Sequence, residues 1–193
     1  MAGDRRNGRG SSSRGAVPIR YMMARQKLRM PADPPPAGEF SLRQILRRLL
    51  IRSFPRLRHI RLTISWGLDD DLLCYTVQNG EHRIRVNDCL KPATTRELEG
   101  GIAHELCHVD ADLRLSRYQR ELAWRRYAAS RWWRMREERA TELRVIELGY
   151  GPRLLAFVRF ARRLGYSFTR EHGLLYPEIR RAVQTQQTSK ERR

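Results

Sequence analysis

The chain is predicted to fold as an α+β domain, with a small twisted sheet of about three strands packed on helices. Two observations carry this. Apolar and polar residues alternate through residues 59–87, the two-residue period of half-buried strands. From Thr94 onward the apolar spacing changes to the three-and-four period of helices and holds to about residue 185. At 193 residues, 40% hydrophobic and 31% charged, the chain is long enough for one globular domain with polar tails. The expected division is a disordered basic and proline-rich tail over 1–38, the folded domain over 39–186, and a polar tail over 187–193.

The tail assignment rests on composition. Asp4-Arg5-Arg6-Asn7-Gly8-Arg9-Gly10 and the serines after it are poor in apolar residues, and the prolines of 31–36 make a stiff spacer. An arginine- and serine-rich presequence shares that composition. Ser41-x-x-Gln44 is a capping box opening a helix with Leu42, Ile45, Leu46, Leu49 and Leu50 on one face, and Pro55 stops it. A strand over 59–66 places Ile60, Leu62, Ile64 and Trp66 on one side. Strands over 72–78 and 82–87 are joined through Asn79-Gly80, both of which tolerate the positive φ of a tight hairpin. In the last strand Ile84 and Val86 oppose Arg83 and Arg85, and His59 and His82 are expected at the surface. Residues 112–148 read as a long helical region, bent or broken once. Gly149-Tyr150-Gly151 closes it, Pro152 opens a helix to about Leu164, and a short helix spans 176–185.

The helix at 95–110 holds the chemistry. His104-Glu105-Leu106-Cys107-His108 is an H-E-x-x-H pattern, and residues four apart on a helix share a face. His104 and His108 can thus close on one metal ion with Glu105 beside it. Thr94-x-x-Glu97 caps the helix, and Leu98, Ile102 and Leu106 form its apolar stripe. Cys107 turns away from the metal face and is not counted as a ligand. A zinc site of this kind needs a third protein ligand and one open position. Patterns that take a histidine shortly after the motif are excluded, because Ala111 and Arg114 stand where a metzincin has glycine and histidine, and the next histidine is His172.

A glutamate on a second helix remains, and residues 136–150, REERATELRVIELGY, offer it. This stretch resembles the second motif of gluzincin metallopeptidases, E-x-x-A-[D/N]. Together with the strand and the motif helix, the resemblance covers about 80–150 and has the style of small intracellular peptidases of the ImmA/IrrE type. It implies a zincin-like fold, a peptide or protein substrate, and zinc held by His104, His108 and Glu137. It also places Ala140 where the two helices approach and Thr141 where the family has Asp or Asn to steady a ligand histidine. Glu138 is the rival ligand, since a shift by one pairs it with Glu142. The resemblance further implies Glu105 as the general base acting on a zinc-bound water, and the strand at 82–87 lying along an extended substrate. Tyr150 and His172 are the candidates for stabilising the developing oxyanion.

Composition adds limits of its own. No apolar run is long enough to span a bilayer, and three cysteines, Cys74, Cys89 and Cys107, suit free thiols in a reducing compartment, so the cytoplasm is expected. A formal net charge of +18 makes non-specific nucleic-acid contact through the basic tail and arginine-rich faces the alternative reading, with a structural or degenerate zinc site. Aromatics interleaved with arginine between Tyr118 and Trp133 have the composition of a stacking surface, as does an ordinary amphipathic helix with its rings on the core.

Overall fold

The computed structural model describes residues 19–22, 42–69 and 71–191. A short strand β1 (Ile19–Met22) precedes α1 (Leu42–Arg52), and a 3-10 turn at Pro55–His59 leads into β2 (Leu62–Gly67). The hairpin of β3 (Leu73–Gln78) and β4 (Glu81–Asn87) follows, then α2 (Thr95–Asp112), α3 (Arg117–Ala129) and α4 (Arg131–Val145). A π-helical turn at Ile146–Tyr150 joins α4 to α5 (Gly151–Arg163), and α6 (Tyr176–Glu191) completes the domain. The class is α+β. No helix among the described residues is long and apolar enough to cross a membrane.

The sheet is mixed, in the order β1-β3-β4-β2, with β2 parallel to β4 and the other pairs antiparallel. The hairpin turn is the one the sequence requires: Asn79 (φ 53°) and Gly80 (φ 76°) both lie in the left-handed region. The three predicted strands are β2 to β4. The fourth, β1, falls within the segment expected as a tail and pairs with the outer edge of β3, which would otherwise present unpaired backbone groups. Four residues amid arginine, glycine and serine are too short a signal for a composition-based reading. The Ser41 cap and the rest of the 1–38 expectation lie outside the described residues.

Three further boundaries differ for local reasons. β2 starts later than predicted because Pro55 opens a 3-10 turn whose Arg58 donates back to the Ile51 carbonyl at 2.7 Å, holding the chain wound through His59. The helical region after Asp112 breaks twice: Ser116 caps α3, and Ser130, in extended conformation (φ −129°), ends α3 and caps α4. α6 runs on to Glu191, past the expected start of the tail at 187, with Gln186 donating to the Glu147 carbonyl at 3.0 Å.

α2 is the centre of the packing. Thr94 and Glu97 form the predicted capping box, but the apolar stripe is not the only buried face. Leu98, Ile102 and Leu106 are buried, and so are Glu99, His104, Glu105, His108 and Asp112 opposite them. A helix buried all round needs cover on every side, and here the sheet, α1, α4 and α5 supply it. Glu99 is held by Arg48 of α1 at 2.8 Å and by Arg153 of α5, so one carboxylate ties three helices. α5 can approach because Gly100 and Gly101 have no side chains. A Cβ on Gly100 would run into the Arg153 carbonyl, and one on Gly101 would lie 2.9 Å from Leu73. Backbone cannot step aside as a flexible side chain can. Gly100→Ala is therefore expected to cost about 3 kcal/mol or more, the upper end of overpacking, lowering Tm by about 6–12 °C in a thermal melt.

His82 corrects a second expectation, while His59 is exposed as predicted. His82 lies in phase with Ile84 and Val86, so the strand alternation turns it into the core, only 5% exposed. Its Nδ1 meets the Tyr75 hydroxyl at 2.7 Å, and that hydroxyl donates to Asp112 at 3.2 Å. Burial, followed by the nearby charge of Arg120, lowers the His82 pKa.

Candidate metal centre

The helical repeat delivers the two imidazoles of α2 to one point. His104 Nε2 and His108 Nε2 stand 3.1 Å apart, with the rings edge to face at 4.8 Å. Both side chains are within 5% of full burial. The third donor comes from α4: Glu138 Oε2 lies 3.0 Å from His104 Nε2, and Oε1 lies 3.6 Å from His108 Nε2. One donor atom from each of the three residues falls within a 4.8 Å group.

Glu138, not Glu137, occupies this position. Glu137 is exposed on the far side of α4, because adjacent helical residues point about 100° apart. The buried residues of α4 are Glu138, Thr141, Glu142 and Val145, a repeat of three, four and seven. Counting back two turns from Val145, the buried apolar residue of α4, reaches Glu138 and misses Glu137. That signal is in the sequence, but only for a reading that admits polar residues to the buried stripe. Ala140, expected at the helix approach, is exposed for the same reason, and Thr141 takes the small inward position.

The donor set fits zinc. Bonds of about 2.0–2.2 Å at the tetrahedral angle put neighbouring donors about 3.3–3.6 Å apart; the two imidazole nitrogens stand 3.1 Å apart, and each faces a different oxygen of Glu138, Oε2 at 3.0 Å from His104 and Oε1 at 3.6 Å from His108. Glu138 Oε2 makes no hydrogen bond despite its closeness to His104, as suits an oxygen facing a cation. Around this set lies a ring of orienting groups. The Tyr127 hydroxyl donates to Glu138 Oε1 at 2.5 Å, and Thr141 Oγ1 lies 3.4 Å from His108 Nδ1. Burial raises the Glu138 pKa, but the two imidazoles more than reverse this and hold the carboxylate ionised.

Glu105 is 2% exposed, with Oε2 making no hydrogen bond. Burial pushes its carboxyl up to about 8; His104 opposes this, and the negative charges of Glu138 and Asp71 add to it. Glu105 is thus a buried carboxyl of raised proton affinity beside the three converging donors.

The segment after α5 closes over the centre. Gly165 (φ 88°) turns the chain back, and Tyr166 and His172 become buried. His172 Nδ1 accepts from the Thr169 backbone N–H at 2.9 Å, which assigns the ring proton to Nε2, and that nitrogen has no hydrogen-bond partner. The Tyr166 hydroxyl has none either. Glu138 contributes to the electrostatic environment of both groups. Glu142 secures the segment by accepting from the Leu174 backbone N–H, with Gly173 (φ 115°) packed on its carboxyl. Burial raises the Glu142 pKa well above the usual carboxylate range.

The other expectations at the site divide. Tyr150 hydrogen-bonds Ser53 at 2.9 Å, so of the two oxyanion candidates only His172 is placed by the structure in the electrostatic surroundings of Glu138. β4 cannot receive a substrate strand, because β3 and β2 occupy both of its edges. Cys107 is buried and outside the donor group, as expected. Tyr127, Tyr166 and Asp71 were not singled out for the site; each reaches it only through tertiary packing, and no local spacing marks them. No protein-family model, curated protein or solved structure matches this chain.

Proposed function

We propose that the protein is a zinc-dependent metallopeptidase whose ligands are His104, His108 and Glu138. The observation that carries this reading is the convergence of those three buried donors within 4.8 Å of one another, with the buried Glu105 carboxyl in their electrostatic surroundings. Zinc bound there would polarise a substrate carbonyl and make a water acidic enough to attack it near neutral pH. The chain's own groups do the rest. Glu105 takes the proton of the attacking water and returns it to the departing amine. Tyr127 fixes the carboxylate of Glu138, and Thr141 the ring of His108. His172 Nε2–H and the Tyr166 hydroxyl are free to donate to the carbonyl oxygen as it gains charge. A peptide or protein substrate is the class we assign, and a cytoplasmic setting, where thiols stay reduced, suits the buried cysteines Cys74, Cys89 and Cys107.

The test is metal removal and return. Purified protein should carry close to one zinc per chain and cleave an unfolded protein such as casein. Chelation should abolish cleavage, and added zinc should restore it. Zinc-loaded, folded protein without turnover on proteins, peptides or simple amides would overturn the proposal.

A further inference from the structure

The geometry points to a binding site for single-stranded nucleic acid on the outer corner where α3 meets α4, formed by Arg126, Trp132, Trp133 and Arg136. The two indoles meet edge to face at 5.0 Å. The Arg136 guanidinium lies 5.6 Å from one ring and 5.0 Å from the other, and that of Arg126 lies 5.3 Å from Trp133. Trp132 is 55% exposed, a costly place for so large an apolar ring.

Among the described residues of α3 and α4, Arg126 and Arg136 combine an indole contact with the lack of a carboxylate partner, which Arg117 and Arg120 also lack. Arg114, Arg125, Arg131, Arg134, Arg139 and Arg144 each pair with a carboxylate. Arg126 and Arg136 lie over the indoles and pair with no carboxylate among the described residues, so their N–H groups keep their capacity for phosphate. α3 itself buries only Tyr127, which leaves most of its surface open. Over 117–145 there are nine arginines against two solvent-facing glutamates, Glu121 and Glu137, so an anionic occupant is favoured.

An exposed ring beside an unpaired guanidinium matches one nucleotide unit: a base to stack and a phosphate to neutralise. A membrane surface fits less well, since a helix lying in the interface needs a continuous apolar face, and here Arg125 and Arg136 interrupt the line of Leu122, Trp132 and Leu143. The site lies on the outward side of α4 and uses none of the metal-centre residues, so it stands or falls independently of the peptidase reading.

The experiment is fluorescence anisotropy with a labelled oligothymidylate of about 20 nucleotides and the full chain, titrated over a range of salt. Trp132→Ala should weaken binding about fivefold or more, Trp132→Phe should recover most of the loss, and both should leave the affinity for baseless inorganic polyphosphate unchanged. Arg126→Gln with Arg136→Gln should reduce the slope of log Kd against log salt by about one unit. A Trp132→Ala protein that binds the oligonucleotide like wild type would overturn the proposal. So would equal affinity for duplex of the same length, or Trp132-dependent binding found only with phosphatidylserine vesicles.

Discussion

Glu105→Gln is expected to keep its zinc and to lose turnover by about 10³-fold, within the range that general acid–base catalysis supplies. The amide has the shape of the carboxyl but cannot take a proton from water. Because Glu105 is not among the converging donors, zinc content should stay at the wild-type value, measured by metal analysis beside the rate. The same substitution has a stability signature. In metal-free wild type the Glu105 pKa rises from 4.5 to about 8 on folding. Between those values the native state therefore binds more protons than the unfolded chain, and stability falls as pH rises through that window. Glu105→Gln removes this dependence, so chelated variant and wild type should converge at acid pH, with the variant gaining relative stability towards pH 8. Wild-type turnover in the variant would remove Glu105 from the chemistry, and zinc loss would reassign it as a structural support.

The parts of the fold that were legible in the sequence are those written in contiguous residues. Asn79-Gly80 specifies its own backbone, the Thr94 box needs only Glu97, and the i, i+4 histidines meet on any helix. The misreadings share a cause: they depend on what packs against a residue from far along the chain. His82 has the polarity of a surface side chain, yet lies inside because Tyr75 and Asp112 provide partners there. α2 reads as amphipathic, yet its polar face is buried, with Glu138 of α4 and Arg48 of α1 supplying the partners that make burial of His104 and Glu99 affordable. α4 gives the clearest case. Its apolar residues are too few to set the helix phase by hydrophobicity, and the four that are buried include two glutamates and a threonine. The gluzincin-like register points to Glu137, whereas the position of Val145 points to Glu138.

That difference of one residue yields a discriminating result. Glu138→Ala is expected to weaken zinc binding by more than about 100-fold, beyond the loss typical when a residue that only hydrogen-bonds a ligand is changed, while Glu137→Ala should leave it intact. Glu138 is 2% exposed, accepts from Tyr127 and faces both imidazoles, so no neighbouring carboxylate on α4 can replace it: Glu142 is engaged by Leu174, and Glu137 points to solvent. Zinc that binds the folded state raises its stability in proportion to the logarithm of affinity, so a 100-fold loss removes about 2.7 kcal/mol of zinc-linked stabilisation. Melting curves with and without zinc would read this directly. Wild type and Glu137→Ala should both shift upward on zinc addition, and Glu138→Ala should not. Because each protein serves as its own zinc-free reference, any packing cost of the substitution cancels from the comparison. A zinc shift that survives in Glu138→Ala and disappears in Glu137→Ala would mean that α4 presents its opposite face to the histidines.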